Sequence, residues 1–217
     1  GRSLPLAMGI KMGNPDLNVI IVAGDGDFLG IGAEHIGPQG MRNLDVTAVV
    51  MDNGVYGLTK GQSSPTTDLG VVTSSTPYGK MEEKLHPLRS YLTMGVSFIA
   101  STISNKVKDM TDIMYEAMNH PGFSIVHVQS PCTEYNNTFE ALKGNVKKGI
   151  QPLAYDIPEG HDPSDAEAAQ EIVNADGIPL GIIYQDTSRP TFDKRVSDTT
   201  GIKDMKSVES LLDGFTI

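Results

Sequence analysis

Four short apolar runs constrain the fold of this chain more than any other feature of its sequence. They span residues 19–23, 45–51, 96–100 and 123–128, and turn-forming glycine, proline or asparagine residues lie close to them. Apolar runs of this length that do not alternate with polar residues are typical of strands buried on both faces. Segments of helical length separate the runs, and this alternation predicts an α/β fold with a parallel sheet. The first two runs and the segment between them predict one βαβ unit.

Two groups of side chains are interpreted as structural. The first is an apolar stripe at helical spacing between the third and fourth runs, formed by Val107, Met110, Ile113, Met114 and Met118. We expect this stripe to pack in the core, because flexible methionine side chains fill irregular gaps in apolar interiors. The second group is formed by four histidines that show no metal-ligand spacing and receive no functional role, namely His86, His120, His127 and His161. His35, on the predicted crossover helix, is equally compatible with packing and with a cofactor contact.

Charge divides the chain into two parts. The net charge is −10, of which residues 1–150 carry −2 and residues 151–217 carry −8. Prolines also punctuate the second part, so we predict an α/β domain over residues 1–150 and an extended or weakly packed acidic C-terminal arm over residues 151–217. A chain with this negative balance does not suit broad capture of nucleic acid or of an anionic membrane.

The sequence also bears on the compartment of the protein. It contains no run of about 18 apolar residues, and its N-terminus resembles neither a signal peptide nor a basic targeting segment. The single cysteine, Cys132, cannot form an intrachain disulfide, as is typical of a reducing compartment. We therefore expect a cytoplasmic protein with no membrane or nucleic-acid partner. The chain starts at Gly1 rather than at a methionine, and we interpret it as N-terminally truncated.

Polar residues gather where the first two predicted strands end. The sequence GDGD, with Gly24, Asp25 and Gly26, follows the first strand, and DNG, with Asn53, follows the second. Because neighbouring parallel strands end at one sheet edge, Asp25 and Asn53 are expected to lie together where open α/β sheets bind ligands. Carboxylate and amide oxygens suit Mg²⁺, which shares its coordination shell with phosphate oxygens. Gly24 and Gly26 allow a tight turn whose N–H groups approach a diphosphate.

These residues alone leave two kinds of site open. One is a metal–diphosphate enzyme site, and the other is a nucleotide-binding module of a different type. A P-loop is excluded, because the chain contains no GxxxxGK[ST] sequence. A dinucleotide-binding fold is only weakly supported, since the turn is GDGDFLG and not GxGxxG.

The two turns together resemble the thiamine diphosphate motif, in which Asp, Asn and a later backbone carbonyl hold Mg²⁺ against the diphosphate. The longer sequences GDGDFLGIGAEH and RNLDVTAVVMDNGVYGLTKGQSSPTT are similar to the β subunits of the 2-oxoacid:ferredoxin oxidoreductases, nearest the 2-oxoglutarate branch. These motifs cover residues 24–67, and GRSLP, SPC and the segment from HDPSD to SRPTF agree with them. The resemblance implies a parallel-sheet thiamine diphosphate-binding domain of the pyrophosphate type.

The resemblance also implies roles for individual residues. It assigns Asp25, Asn53 and the carbonyl of Val55 to Mg²⁺. It assigns the substrate carboxylate to Lys60, which lies in the motif YGLTKGQ and in a long segment, residues 53–79, that is predicted to lack regular structure. The residues expected to contact thiamine diphosphate are Gly24, Gly26, Asp27, Gly57 and Leu58.

The SPC motif implies a further cofactor. In the resembled family its cysteine, here Cys132, supplies one of four thiolates to a [4Fe–4S] cluster. The other three are expected in a segment upstream of GRSLP, which this sequence does not contain. One thiolate cannot hold a four-iron cluster, so Cys132 is expected to be a ligand only in the intact protein.

The implied reaction is the oxidative decarboxylation of a 2-oxo acid, with 2-oxoglutarate favoured, to acyl-coenzyme A and CO₂, with electrons passed to ferredoxin. The carboxylic acid that assists thiamine is expected from a partner α subunit, so the chain is expected to be inactive alone. One alternative is a non-redox thiamine decarboxylase or synthase, which is not expected to carry TKGQSSPTT. The other is a subunit that binds a phosphate ligand without catalysis.

Overall fold

The computed structural model describes residues 1–201 and 208–213. Among the helices of this part of the chain, none combines the length and the apolar character needed to cross a membrane. The strands are β1 (Ile20–Gly24), β2 (Val46–Asp52), β3 (Val55–Tyr56), β4 (Gln62–Ser63), β5 (Phe98–Ile103), β6 (Phe123–Gln129), β7 (Ala154–Asp156) and β8 (Ile178–Gln185). The α-helices are α1 (Ser3–Gly13), α2 (Ile36–Arg42), α3 (Pro87–Thr93), α4 (Val107–Asn119), α5 (Phe139–Lys143), α6 (Ala166–Asn174), α7 (Phe192–Thr200) and α8 (Val208–Asp213).

A six-stranded sheet organises the fold, with the strand order β1-β2-β6-β5-β8-β7. The strands β1, β2, β6 and β5 are mutually parallel, and they correspond to the four apolar runs of the sequence. The predicted α/β fold with a parallel sheet is therefore confirmed. In the register of these strands Gly24 pairs with Met51, and Asp52 pairs with Gln129. The ends of β1, β2 and β6 thus meet at one edge of the sheet.

The two faces of the sheet are covered by different elements. One face packs under α1, α3 and α6 in the larger cluster of buried apolar side chains, and α4 covers the other face. Met110, Ile113 and Met114 pack against that second face, as predicted for the methionine-rich stripe. Val107 and Met118 are 62% and 40% exposed, although Ala117 beside Met118 is buried against the sheet. The core assignment is wrong for these two residues.

The edge strand β1 departs from the expectation of burial on both faces. Ile21 is buried, but Val22 is 70% exposed and Ile20 is 45% exposed. The helix α4 packs on β2, β5, β6 and β8, so it leaves this face of β1 uncovered. An apolar run predicts a strand here correctly, but it does not predict which strand lies at the edge.

The predicted crossover between β1 and β2 is present but irregular. It begins with a π-helical turn (Gly26–Ile31), continues through a 3₁₀ turn (Ala33–His35) and ends in α2. The helix stops at Asn43, whose φ of 54° lies in the left-handed region. A Cβ atom on Gly40 would lie 2.1 Å from the carbonyl oxygen of Met94, so only glycine lets α2 approach that backbone.

Residues 151–201 of the C-terminal part are neither extended nor weakly packed. β8 pairs antiparallel with β5, β7 extends the sheet from β8, and α6 packs on β8. Arg189 ties the later segment to the core, because its guanidinium donates to the carbonyl of Gly95 at 2.8 Å and to that of Gly40 at 2.7 Å. The expectation of an extended or weakly packed arm is wrong, because the strands β7 and β8 and the helix α6 pack with the rest of the fold. The division of the chain at residue 150 stays a prediction.

A buried polar cluster lies at the amino ends of the parallel strands. The Ser97 hydroxyl donates to Asn43 Oδ1 at 2.6 Å, and His120 Nε2 lies 2.9 Å from the same hydroxyl oxygen. His120 Nδ1 is buried and has no hydrogen-bond partner. Burial lowers the pKa of His120 to about 4, although Asp186 and Asp45 partly oppose this shift. His120 is therefore neutral in the folded protein at neutral pH.

We expect the buried His120 to make the free energy of unfolding fall in mild acid. The pKa of His120 is about 4 in the folded protein, below the value of 6.5 in the unfolded chain. The stability that the neutral imidazole contributes is therefore fully present above pH 6.5 and is lost as the pH drops toward 4. The slope attributable to this residue reaches at most about 1.4 kcal/mol per pH unit. Urea unfolding of the wild type and of His120→Gln between pH 4 and 7 measures it as the difference between the two curves. Parallel curves would contradict this assignment.

Candidate active site

The two turns predicted from the sequence meet at the carboxyl edge of the sheet. Asp25 follows β1 and is 1% exposed, and its Oδ1 atom accepts a hydrogen bond of 3.4 Å from the backbone N–H of Asn53. Asn53 Oδ1 in turn accepts from the N–H of Val55 at 3.0 Å. The structure thus brings together the three residues proposed for Mg²⁺. Their role as metal ligands stays a prediction.

Close packing around the first turn explains one of its glycines. The Tyr56 hydroxyl donates to the carbonyl of Gly26 at 2.9 Å, and a Cβ atom at position 26 would lie 2.3 Å from a carbon of that ring. Only glycine fits under Tyr56 here. Gly24 is less constrained, because a Cβ there would meet its first neighbour, the carbonyl of Met51, at 3.9 Å.

The segment after Asn53 is more ordered than its sequence suggests. β3 and β4 pair as a small antiparallel hairpin, which corrects the expectation of a loop without regular structure. At its tip Leu58 and Lys60 are exposed, and the N–H of Lys60 donates to the carbonyl of Gly57 at 3.1 Å. Lys60 has a φ of 78°, a left-handed conformation that is uncommon for residues with a side chain. The hairpin therefore presents an ammonium group to solvent from a strained backbone position.

A buried polar network underlies the two turns and was not predicted. The Thr66 hydroxyl lies 2.8 Å from Asp25 Oδ2 and 2.7 Å from Asp52 Oδ1. His127 Nε2 lies 2.9 Å from Asp52 Oδ2, and the Tyr91 hydroxyl lies 3.1 Å from His127 Nδ1. Five side chains from separate parts of the sequence thus form one continuous chain of contacts. The clearest sequence signal was His127, a polar residue inside an apolar run, since buried polar groups are almost always paired.

The two carboxyl groups of this network differ in their electrostatics. Burial raises the pKa of Asp25, and the neighbouring Asp52 raises it further. Burial also tends to raise the pKa of Asp52, but hydrogen bonds from His127, Thr66 and the Gly54 N–H outweigh it and lower that pKa below its usual value. Ionisation is thus favoured at Asp52 and disfavoured at Asp25. A cation bound to Asp25 would offset the burial and repulsion that disfavour its ionised form.

The donor set of this site fits Mg²⁺ bound together with phosphate. Within residues 1–201 and 208–213, no group of three or more His, Cys, Asp or Glu side chains is arranged to hold a metal ion. A site here would instead combine the Asp25 carboxylate, the Asn53 amide oxygen and the Val55 carbonyl. Mg²⁺ is commonly bound by one or two carboxylates and completes its octahedral shell with phosphate oxygens and water. The residues present are compatible with that kind of coordination.

Cys132 lies close to the same turns. Asn136 links its segment to the second turn, because the Asn136 side-chain amide donates to the carbonyl of Asn53 at 2.9 Å and its N–H donates to that of Cys132 at 3.0 Å. A Cβ atom on Gly57 would lie 3.9 Å from both the Cys132 sulfur and Asn53 Nδ2. The half-buried thiol thus borders the predicted cofactor-binding loop.

Two further residues lie near the first turn. The side chain of Asp27 is 49% exposed. The buried Nε2 atom of His35 lies 3.5 Å from the Glu34 carboxylate and makes no hydrogen bond. The role of Asp27 in binding thiamine diphosphate stays a prediction, and no contact joins His35 to Asp25 or Asn53 in the described part of the chain.

A cavity of about 400 Å³ adjoins the second turn. Asn53, Thr66 and His127 line it on one side, and Val173 and residues 175–179 of the C-terminal part line it on another. Arg89 fixes that second wall, because its Nε donates to the carbonyl of Val173 at 2.9 Å. The C-terminal part of the chain therefore contributes directly to the surroundings of the site.

Comparison with known proteins extends these observations. Residues 1–128 match the family model described as "Thiamine pyrophosphate enzyme, C-terminal TPP binding domain". Residues 135–200 match the family model for the C-terminal part of the pyruvate ferredoxin oxidoreductase beta subunit. The two models together cover most of the chain, including the two turns, Lys60 and the segment that carries β7 and β8.

Individual relatives point in the same direction. The β subunit of a 2-oxoacid:ferredoxin oxidoreductase from Saccharolobus solfataricus is 38% identical over 205 residues, which cover 91% of this chain and 67% of that protein. The 2-oxoglutarate synthase subunit KorB of Archaeoglobus fulgidus is 40% identical over 132 residues, 61% of this chain and 49% of that protein. The chain thus spans about two thirds of the length of the 2-oxoacid relatives, or less.

A solved structure shares the whole fold. It is the 2-oxoglutarate:ferredoxin oxidoreductase from Magnetococcus marinus with 2-oxoglutarate, coenzyme A and succinyl-CoA bound. The TM-score is 0.84 at 33% sequence identity, and the match covers 100% of this chain and 74% of that one.

Proposed function

The chain belongs to the β subunits of the 2-oxoacid:ferredoxin oxidoreductases, and we propose on that basis that it binds the thiamine diphosphate of such an enzyme. The reaction is the oxidative decarboxylation of a 2-oxo acid to acyl-coenzyme A and CO₂, with electrons passed to ferredoxin. 2-Oxoglutarate is the favoured substrate, in keeping with the KorB relatives. The observation that carries the proposal is the meeting of the Asp25 and Asn53 turns at the carboxyl edge of the sheet.

The residues of these turns hold and orient the cofactor. Asp25, Asn53 and the carbonyl of Val55 would bind Mg²⁺ and, through it, the diphosphate. The remaining residues proposed to contact thiamine diphosphate are Gly24, Gly26, Asp27, Gly57 and Leu58. When bound, thiamine diphosphate supplies the electron sink that allows CO₂ to leave.

Lys60 is proposed to select the substrate. Its ammonium group is exposed at the tip of the hairpin, and its side chain makes no hydrogen bond or ion pair within the described residues. Such a group is available for the carboxylate of a 2-oxo acid, and a charge-assisted hydrogen bond would hold the substrate in one orientation.

Cys132 is proposed to ligate a [4Fe–4S] cluster in the intact protein. It is the single cysteine of the sequence, so three further thiolates must come from outside these 217 residues. Its position beside Gly57 supports the proposal, because it places the sulfur next to the loop proposed to bind thiamine diphosphate.

The partner is proposed to be the α subunit of the same enzyme in the cytoplasm. On the basis of the family, the acid that faces the aminopyrimidine ring is assigned to that subunit. The intact β chain should be inactive by itself and active once the α subunit is added.

The test uses the intact β chain, its α subunit, coenzyme A and ferredoxin. We expect the complex to oxidise 2-oxoglutarate in preference to pyruvate, with ferredoxin reduction and acyl-coenzyme A formed in step with CO₂. Turnover by the isolated β chain would contradict the assignment of the acid to the partner. CO₂ release without ferredoxin reduction would favour a non-redox thiamine enzyme, and a complex that contains no thiamine would favour a non-catalytic phosphate-binding subunit.

A further inference from the structure

The loop that follows β4 contains a buried lysine whose charge has no counter-ion. Lys80 is 6% exposed, and its ammonium group lies 3.2, 3.3 and 2.8 Å from the carbonyl oxygens of Ser64, Pro65 and Thr67. No carboxylate forms an ion pair with it in residues 1–201 and 208–213. Burying an ammonium group is costly unless its donors are satisfied, and an apolar side chain would fill the same space without that cost. We therefore look for a role of Lys80 in the carbonyl groups that it binds.

The three carbonyl groups that Lys80 binds surround Thr66 in the sequence. Thr66 carries the hydroxyl that lies 2.8 Å from Asp25 Oδ2 and 2.7 Å from Asp52 Oδ1. The next residue, Thr67, donates to the carbonyl of Gly54 at 2.5 Å, in the second turn. The segment 64–67 is thus held by Lys80 and contacts the predicted metal-binding turns through Thr66 and Thr67.

We propose that Lys80 is a positioning residue for the Mg²⁺–thiamine diphosphate site. By fixing the backbone of residues 64–67, it holds the Thr66 hydroxyl against Asp25 Oδ2. That contact orients the carboxylate so that Asp25 Oδ1 faces the backbone of Asn53, the side on which the proposed metal ligands converge. Lys80 acts through Thr66 and does not itself touch the cofactor. The inference depends on the proposed function, because it concerns the same cofactor site.

The position of the Thr66 hydroxyl depends on Lys80 as well as on Thr66 itself. Thr66 alone is a short side chain on a loop, and a loop hydroxyl is fixed only when its backbone is fixed. Lys80 supplies that constraint with three hydrogen bonds from one group, and its own backbone pairs with Val71 and Gly70 at 3.0 and 2.8 Å. Groups that support metal ligands in this way commonly affect metal affinity by 10- to 100-fold.

The test compares Lys80→Met, Thr66→Val and the double variant in the intact αβ complex. Calorimetric titration with thiamine diphosphate and Mg²⁺ should show affinity weakened at least about 10-fold by each single change. In the double variant this affinity should be no lower than in the more strongly affected single variant, because both changes break the same unit. In both single variants the concentration of thiamine diphosphate that gives half-maximal turnover should rise in parallel with the calorimetric Kd. Lys108→Met is the control, because Lys108 is exposed on α4, which covers the other face of the sheet and does not line the cavity beside the second turn.

Each possible result decides the proposal. Unchanged affinity in Lys80→Met, with a lower melting temperature and fewer active sites, would show a merely structural lysine and overturn it. Additive losses in the double variant would overturn the route through Thr66. If Lys80→Met does not fold, Thr66→Val must still weaken affinity, and a wild-type affinity there would overturn the proposal. Failure of the proposed function is distinguishable, because the wild-type complex itself would then show no Mg²⁺-dependent binding.

Discussion

Asp25→Ala is expected to weaken Mg²⁺-dependent binding of thiamine diphosphate by at least about 100-fold, because changes even in groups that only support metal ligands cost 10- to 100-fold. Asp25 is the single carboxylate among the three proposed ligands, so its loss leaves two neutral oxygens to hold a divalent cation. Asp52 cannot easily replace it, since its oxygens are already bound by His127, Thr66 and the Gly54 N–H. The variant should still fold, because removing Asp25 also removes a buried carboxyl group whose ionisation is disfavoured.

The measurement is calorimetric titration of the intact αβ complex with thiamine diphosphate, with and without Mg²⁺. Asp25→Asn separates the carboxylate charge from the shape of the side chain, and we expect it to lose most of the affinity as well. Asp109→Ala is the control, because this aspartate is exposed on α4, on a different part of the surface. Binding that is indifferent to Mg²⁺ and to the change at position 25 would mean that the two turns serve only the fold.

The part of this site that the sequence predicts is the part built from local signals. A buried strand followed by GDG and a second followed by DNG must end at one edge if the strands are parallel neighbours, and this places Asp25 beside Asn53. The same reasoning cannot show that β1 lies at the edge of the sheet, with Val22 exposed. Strand order depends on pairings between distant segments, and the apolar pattern does not record them.

The polar network under the turns is the part that escaped prediction. Tyr91, His127 and Thr66 come from a helix, a strand and a loop, and they contact partners 36, 75 and 41 residues away in the sequence. No short motif encodes such contacts. His127 lies within an apolar run, and that position alone indicated a paired group at the centre of the sheet. Its partner, Asp52, directly precedes Asn53, which was predicted as a site residue. The sequence offered no reason to choose Asp52 over Asn53 as the partner of His127.

The C-terminal segment shows why charge alone misleads about packing. Its net charge of −8 suggested a solvated arm, yet β8 and α6 pack against the core of the fold. Glu167 and Glu171 on α6 are exposed, while Leu180 and Ile183 are buried. Net charge describes the surface of a segment, whereas its burial depends on whether a few apolar positions recur at the period of a strand or helix.

Substitution of Lys60 is expected to separate substrate binding from cofactor binding. Lys60→Met removes the ammonium group and keeps the length of the side chain, so the KM for 2-oxoglutarate should rise about 10- to 100-fold, as for loss of a hydrogen bond to a charged group. Affinity for thiamine diphosphate and Mg²⁺ should stay unchanged, because the side chain of Lys60 contacts none of Asp25, Asn53 or Val55 in the described structure. Steady-state kinetics of the αβ complex over a range of 2-oxoglutarate concentrations, paired with cofactor titration, measure both quantities.

Lys60→Gly tests the same prediction more sharply, because this change should not lower the stability of the protein but should lower its affinity for the substrate. At a φ of 78° a glycine is unstrained, whereas a residue with a side chain costs about 1 kcal/mol or more, so the glycine variant should be at least as stable as the wild type. It should nevertheless lose affinity for the substrate as fully as Lys60→Met does. A variant that is both stable and active on 2-oxoglutarate with the wild-type KM would refute the role of Lys60. A stable variant with a raised KM would mean that the backbone strain at this position is maintained for the ammonium group it presents.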